Sequence, residues 1–168
     1  FLKALGDEIG SSLLEEEKLD YAIEMLKKAE GKILLPVDSI YASHFGEDAT
    51  ARVGISESVQ PNELGLDIGP KTQEIFTKEL LGAKTVVWNG PMGVSEWEQF
   101  ASGTIAVCEA LAQTDALSIV GGGDSAAAAI KLGYEDKVSH ISTGGGASLQ
   151  YLEGKPLPGL ESIQNKGE

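Results

Sequence analysis

The second half of the chain repeats one pattern three times: a short apolar run, a glycine-containing turn and then a helical pattern. The apolar runs cover residues 85–88, 117–120 and 138–142. Alternation of strand and helix predicts a parallel sheet with right-handed crossovers, so that every strand-to-helix turn lies at the same edge. Ligands of open α/β sheets bind along that edge. We therefore expect an α/β fold with a mainly parallel sheet and a ligand site formed by the three turns.

The turn in the stretch IVGGGDSAAAAI, residues 119–130, predicts a phosphate site. The first N–H groups of a helix lack partners and favour an anion, so Gly122 and Gly123 are expected to expose their amides to phosphate. The negative Asp124 fits beside a phosphate when Mg²⁺ lies between them. Ser125 is expected to donate to a phosphate oxygen. In the structural alternative, the glycines only permit close packing and Asp124 caps the helix.

The two other turns add polar groups to the same edge. In STGGGASL, residues 142–149, three glycines open another helix, so two helix N-termini are expected to converge on one charged group. Asn89 ends a strand and is placed to donate its side-chain amide to a transferring phosphoryl group. Glu96 is placed either to accept from ribose hydroxyls or to stabilise a helix N-terminus. Taken singly, each turn is also explained as a tight connection without a ligand.

Composition limits the classes of partner. The length of 168 residues predicts one domain, and 42% hydrophobic residues with 23% charged residues are ordinary for a globular protein. The net charge of −13 argues against binding to nucleic acid or to an anionic membrane, and no apolar run is long enough to span a bilayer. Since Arg52 is the only arginine, a phosphate site here must use backbone amides, a metal ion and lysine. The single cysteine, Cys108, excludes an internal disulfide and favours a cytoplasmic location.

The first half of the chain predicts further helices and strands. Residues 1–6 are typical of the last turn of a helix that ends at Gly6, which indicates part of a longer protein. A capping box from Ser12 to Glu15 predicts a helix that begins at Ser12. The apolar run at residues 32–38 predicts a strand. The other predicted helices extend from Pro70 to Gly82 and over residues 96–113.

The remaining candidate residues are interpreted as structural. His44 and His140 each stand alone, which favours hydrogen-bonded structural roles over catalysis or metal binding. Cys108 lies among helical apolar residues and is expected to pack there. Trp88 and Trp97 are expected in the core or in a cleft wall.

Sequence motifs for nucleotide binding narrow the choice of function. The chain lacks the pattern GxxxxGK[ST], so a Walker-type P-loop is excluded. The run from Gly121 to Ala126 meets a loosened dinucleotide pattern, but no acidic residue ends a strand about 20 residues later. A dinucleotide-binding domain of an oxidoreductase and a non-catalytic adenine-nucleotide or interaction module therefore remain as alternatives to phosphoryl transfer.

Five stretches together resemble the C-terminal, nucleotide-binding domain of the phosphoglycerate kinase family. They are LGLDIGPKT, VVWNGPMGV, IVGGGDSAAA, KVSHISTGGGASL and LEGKPLPG, in the family's order and spacing. The resemblance covers residues 1–168 as one partial domain and implies a Rossmann-like, three-layer α/β/α fold that is incomplete in this chain. It also implies reversible, Mg²⁺-dependent phosphoryl transfer between 1,3-bisphosphoglycerate and ADP, giving 3-phosphoglycerate and ATP in a cleft between two domains.

The resemblance also assigns roles to individual residues. It places Gly65, Leu66 and Pro91 at the adenine, Glu96 at the ribose, Asn89, Gly122, Gly123 and Ser125 at the phosphates, Asp124 at the metal, and Gly144, Gly145 and Gly146 at the N-terminus of a helix that points at the phosphoryl group in flight. The chain departs from the family at Ser95, where a phenylalanine is usual. That change bears on the packing that orients Glu96.

Parts of the family's architecture are missing from this sequence. The family's N-terminal domain, which holds phosphoglycerate through basic residues, is absent, as is the start of the nucleotide domain. The resemblance thus implies an active, monomeric parent enzyme and an inactive isolated chain. The family's sheet resembles the order 3-2-1-4-5-6, so the predicted strand at Ile33 is expected to be separated from the strand at Val86 by a gap. We expect missing chain, a partner or a rearrangement to fill that gap.

Overall fold

The structure, a computed structural model, describes residues 1–142 and 144–163. Its helices are α1 (Leu19–Ala29), α2 (Pro70–Gly82), α3 (Ser102–Gln113), α4 (Gly123–Lys131), α5 (Gly145–Leu152) and α6 (Pro158–Glu161). Its strands are β1 (Ser39–Ala42), β2 (Ala51–Gly54), β3 (Leu64–Ile68), β4 (Thr85–Asn89), β5 (Leu117–Gly121) and β6 (His140–Ser142). Short 3-10 helices lie at Lys3–Leu5, Glu16–Lys18, Ser56–Ser58, Glu98–Phe100 and Glu135–Lys137. The strands form two separate three-stranded sheets.

The parallel sheet has the strand order β4-β5-β6. Asn89 pairs with Gly121, and Gly121 pairs with Ser142, so the three strands end level with one another. This register brings the three strand-to-helix turns to one edge. The α/β fold with a parallel sheet is therefore confirmed.

Helices lie against both faces of this sheet. On one face, apolar side chains of β4 and β5 pack against α3 and α4 in a core made by Val86, Trp88, Val107, Cys108, Leu111, Ala116, Val120 and Ala129. On the other face, Val87 and Ile119 line a groove with Ala147 and Tyr151 of α5. Cys108 is 1% exposed, and burial raises the pKa of its thiol to about 11. Its predicted packing role is confirmed.

The second sheet is antiparallel, with the order β2-β1-β3. Its strands β1 and β2 are only four residues each, and both come after residues 32–38, the apolar run that was predicted as a strand. That prediction is wrong: the run is outside any strand or helix. It contains Pro36, which has no N–H to donate to a strand ladder.

The edge of β4 has no strand beside it among the described residues, where its only partner is β5. Leu34, from the run at 32–38, instead lines an apolar groove of about 270 Å³ with Val86, Val87 and Trp88. Residues 32–38 are not paired with β4 in the described part of the chain. That missing chain, a partner or a rearrangement fills this edge stays a prediction.

Two helix starts differ from prediction. The first long helix begins at Leu19 rather than at Ser12, because the Ser12 hydroxyl accepts a hydrogen bond from the Gly65 N–H at 3.0 Å instead of capping a helix. The helix predicted over residues 96–113 begins at Ser102, after a short 3-10 turn. The first helix start is displaced by a contact with a distant residue, and the second by a 3-10 turn inside the predicted range.

A buried aspartate, Asp38, caps α2 although it lies far from that helix in the sequence. Asp38 accepts from the Thr72 N–H at 2.8 Å, from the Thr72 hydroxyl at 2.6 Å and from the Lys71 N–H at 3.1 Å, which fixes the N-terminus of α2. Burial acts to raise the pKa of Asp38, but these hydrogen bonds together lower it below its ordinary value.

None of the helices in the described residues is long and apolar enough to cross a membrane.

Candidate functional site

The three turns at the end of the parallel sheet are bonded to one another. The Gly122 N–H donates to the Ser142 carbonyl at 3.0 Å, which joins the turns after β5 and β6. The Gly90 N–H donates to the Ser125 hydroxyl at 2.6 Å, which joins the turns after β4 and β5. The edge predicted from the sequence is therefore one connected surface.

Glycine is required where two of these turns meet. A Cβ built on Gly145 would lie 2.6 Å from Gly122 Cα, closer than real Cβ contacts allow, and 3.0 Å from Asn89 Oδ1. A Cβ built on Gly122 would also lie 3.0 Å from Asn89 Oδ1, and the φ of Gly122 is +101°, a conformation that favours glycine. Asn89 and the two glycine turns thus converge on one point.

The helices α4 and α5 both begin at this point. Their N-cap residues, Gly122 and Gly144, have no side chain that could cap the first turn, so among the described residues the leading N–H groups of both helices lack a side-chain cap. The Gly144 N–H itself donates to the Ser142 hydroxyl at 3.3 Å. Asp124 lies exposed in the first turn of α4 and makes no side-chain cap there. The structural alternative is therefore met in one part only: the glycines do permit close packing, but no capping bond from Asp124 is found among the described residues. Thr143, which precedes the second glycine turn, lies outside the described residues.

Ser125 has a structural contact that the sequence did not indicate. The residue is 1% exposed, and its hydroxyl accepts the hydrogen bond from Gly90. That bond holds the turn after β4 against α4. A contact from this hydroxyl to a phosphate stays a prediction.

The residues assigned to adenine line a cavity between β3, the loop after β4 and the segment before α1. Gly65, Leu66 and Pro91 face this cavity of about 540 Å³, together with Gly93 and Val94. Its walls are joined because the Val94 N–H donates to the Leu66 carbonyl at 2.9 Å. The residues Asn89, Glu96, Gly122, Gly123, Asp124, Ser125, Gly144, Gly145 and Gly146 do not line it. The structure therefore divides the predicted residues into an apolar cavity and a separate polar edge.

Asp67 is a buried residue of this region that the sequence analysis did not single out. Its carboxylate accepts from the Gly103 N–H at 2.8 Å and from the Ser102 hydroxyl at 2.9 Å, which caps α3. Burial raises the pKa of Asp67, although these hydrogen bonds and one from the Ile68 N–H act in the opposite direction. A Cβ on Gly93 would lie 2.4 Å from Asp67 Oδ1, so the cavity wall packs directly on this carboxylate.

The surroundings of Glu96 are polar and open. Glu96 is exposed, and its backbone carbonyl accepts from Lys131 Nζ at 3.4 Å. Beside it, the Trp97 ring is tilted against Phe45, with centroids 4.8 Å apart, and edge-on to Phe100 at 6.2 Å. Trp97 therefore packs against the core cluster that contains Phe100, one of the two places expected for it.

A metal at this edge would depend on few protein ligands. Among the described residues, no group of three or more His, Cys, Asp or Glu side chains is arranged to hold a metal ion. The exposed Asp124 beside two open helix N-termini fits Mg²⁺, since this ion is typically bound by one or two carboxylates together with substrate phosphates and water.

Comparison with known proteins gives a consistent family. The family model described as phosphoglycerate kinase matches residues 1–155. Phosphoglycerate kinases of Staphylococcus aureus strains JH9 and Newman are each 59% identical over 167 residues, which cover 99% of this chain and 42% of each relative.

Two solved structures have the same fold. The phosphoglycerate kinase from Coxiella burnetii superposes with a TM-score of 0.89 at 47% identity, over 95% of this chain and 42% of that one. The enzyme from Pyrococcus horikoshii OT3 superposes with a TM-score of 0.81 at 32% identity, over 95% and 41%. This chain thus spans about two fifths of the length of these relatives. Because the family model matches most of the sequence and the solved structures superpose on the fold, the chain belongs to the phosphoglycerate kinase family.

Proposed function

We propose that this chain forms the nucleotide-binding part of a phosphoglycerate kinase. In that role it binds ADP or ATP with Mg²⁺ during reversible phosphoryl transfer from 1,3-bisphosphoglycerate to ADP, which yields 3-phosphoglycerate and ATP. The observation that carries the proposal is the convergence of Asn89, Gly122 and Gly145 at the level ends of three parallel strands, together with a cavity that the loop after β4 helps to line.

The apolar cavity is assigned to the adenine base. Its volume of about 540 Å³ lies within the range of typical small-molecule pockets, about 300–1,000 Å³. Gly65, Leu66 and Pro91 would contact the faces and edges of the ring. Glu96, which is exposed, would accept hydrogen bonds from the ribose hydroxyls.

The polar edge is assigned to the phosphates and the metal. Gly122 and Gly123 would donate backbone N–H groups, with Asn89 and Ser125 adding side-chain contacts. Asp124 would hold Mg²⁺ directly or through water. When bound, Mg²⁺ would neutralise charge on the phosphate oxygens.

Catalysis by these residues would consist of positioning and charge stabilisation. Gly144, Gly145 and Gly146 place the N-terminus of α5 at the edge, where its N–H groups and dipole favour a group that carries negative charge. Asn89 would donate its side-chain amide to the same group. Phosphoryl transfer requires little covalent chemistry from the protein, so this arrangement of donors is suited to it.

The phosphoglycerate site would come from the part of the relatives that this chain does not span. Arg52, the only arginine, lies in the antiparallel sheet, where its guanidinium is bonded to Glu63 at 2.7 and 2.5 Å. Arg52 therefore forms a structural ion pair with Glu63. We expect the complete enzyme to be a cytoplasmic monomer and this chain alone to bind nucleotide without turnover.

A calorimetric titration of the chain with ADP, with and without Mg²⁺, tests the proposal. Saturable binding that strengthens with Mg²⁺ is the expected result, and NADH serves as the comparison ligand. Binding of NADH without metal dependence, in place of ADP, would favour a dinucleotide-binding oxidoreductase domain and overturn the proposal.

A further inference from the structure

We propose that Ser12 is a positioning residue for the nucleotide base, because its hydroxyl holds Gly65 at the wall of the apolar cavity. The inference rests on the proposed function in assigning that cavity to adenine. It adds a residue from the segment before α1, which the sequence analysis assigned to a helix cap.

The strand that carries Gly65 needs such a contact. β3 lies at one side of its sheet and pairs only with β1 within the described residues. The register of this pairing shifts between Ile40 and Tyr41, so that Tyr41 is opposite Gly65 and Ile40 is opposite Asp67. Leu66, between them, is left without a direct partner, and such an irregularity weakens the ladder locally. The pairing of β3 with β1 alone therefore does not fix the positions of Gly65 and Leu66, which line the cavity.

Two bonds from outside the sheet fix them instead. The Gly65 N–H donates to Ser12 Oγ at 3.0 Å, and the Leu66 carbonyl accepts from the Val94 N–H at 2.9 Å. Ser12, Gly65, Leu66 and Val94 all line the cavity. One bond thus joins β3 to the segment before α1, and the other joins it to the loop after β4.

The segment that carries Ser12 is anchored independently of that bond. The Ser11 N–H donates to the Glu63 carbonyl at 2.7 Å, and the Ser11 hydroxyl donates to the Pro61 carbonyl at 2.7 Å. Gly10, with a φ of +58°, lies so close that a Cβ there would be 2.2 Å from the Glu63 oxygen. Removing the Ser12 hydroxyl should therefore leave the segment in place and free only the Gly65 N–H.

The neighbouring serine is a matched control. Ser11 also donates a side-chain hydrogen bond to the loop before β3, but neither Ser11 nor Pro61 lines the cavity of about 540 Å³. Substituting either serine by alanine removes one hydrogen bond between the same two segments. Only the change at Ser12 alters a contact of a cavity residue.

The test measures binding of MgADP and of magnesium pyrophosphate, which lacks the base, to the wild-type chain, Ser12→Ala, Ser11→Ala and Ser12→Thr. We expect Ser12→Ala to raise the Kd for MgADP about fivefold, the usual effect of one hydrogen bond, with pyrophosphate affinity unchanged. Ser11→Ala should leave both affinities unchanged, and Ser12→Thr, which keeps the hydroxyl, should restore ADP binding. If Ser12→Ala does not fold, Ser12→Cys, with a weaker acceptor, should raise the Kd in the same direction.

Two outcomes would overturn the inference. The first concerns only the role of Ser12, and the second also concerns the assignment of the cavity to adenine. Equal MgADP affinities for Ser12→Ala and Ser11→Ala, with metal-dependent ADP binding intact in the wild type, would refute the role of Ser12 alone. A folded wild-type chain that binds pyrophosphate but gains nothing from the base would refute both this role and the assignment of the cavity to adenine.

Discussion

Replacing Asp124 with alanine is expected to weaken ADP binding in the presence of Mg²⁺ by about 10- to 100-fold, the range typical for loss of a group that supports a metal site. Asp124 is exposed at the first turn of α4 and makes no side-chain cap there, so its removal should cost the fold little. ADP binding measured with EDTA in place of Mg²⁺ should change by much less. Isothermal titration under both conditions gives the comparison.

A second exposed aspartate provides the control for this substitution. Asp115 precedes β5, whereas Asp124 follows it, so the two carboxylates lie at opposite ends of the same strand. Asp115→Ala removes the same charge from the chain and should leave the Mg²⁺ dependence of ADP binding intact. Equal affinities for MgADP in Asp124→Ala and in the wild type would show that the metal assignment is wrong.

Replacing Gly145 with alanine is expected to separate the two helix N-termini that form the polar edge. The added Cβ would lie 2.6 Å from Gly122 Cα and 2.9 Å from Gly122 N, and backbone atoms cannot rotate away as a side chain can. Overpacking of this kind typically lowers the free energy of unfolding by about 1–3 kcal/mol. We expect a loss of that size in urea unfolding, together with weakened binding of MgADP and of magnesium pyrophosphate.

The adjacent glycine distinguishes crowding from a general effect of alanine. Apart from its chain neighbours and the backbone of its own helix, no atom of the described residues lies within 4 Å of a Cβ built on Gly146, which is also in α5. Gly146→Ala should therefore leave stability unchanged or raise it by up to about 1 kcal/mol, as alanine favours the helix over glycine. If both variants unfold at the same urea concentration, the close approach of the two turns is not a constraint on this fold.

The parallel sheet and its functional edge could be predicted because the signals are local. Each apolar run, its turn and the following helix are adjacent in sequence, and the rule that parallel crossovers are right-handed then places all turns at one edge. Asn89, Gly122 and Gly145 come together for this reason. The close approach that makes glycine necessary at Gly145 is a tertiary contact, however, and no pattern in STGGGASL indicates its partner.

The parts that were predicted wrongly depend on contacts between distant residues. The capping-box pattern at Ser12 is a local signal, but the hydroxyl bonds to Gly65, 53 positions away. Similarly, Asp38 caps α2 and Asp67 caps α3 from about 35 positions upstream. The apolar run at residues 32–38 has the composition of a strand, but among the described residues it joins neither sheet, and its Pro36 has no N–H to donate to a strand ladder.

Phosphoryl transfer by a chimeric enzyme tests the central claim most directly. The matching 167 residues of the Staphylococcus aureus phosphoglycerate kinase, 59% identical to this chain, would be replaced by this sequence, and ADP formation from ATP and 3-phosphoglycerate would be measured with Mg²⁺. The account predicts turnover that approaches that of the parent enzyme and is lost in the chimera carrying Asp124→Ala. A folded chimera that binds MgADP but transfers no phosphoryl group would contradict it.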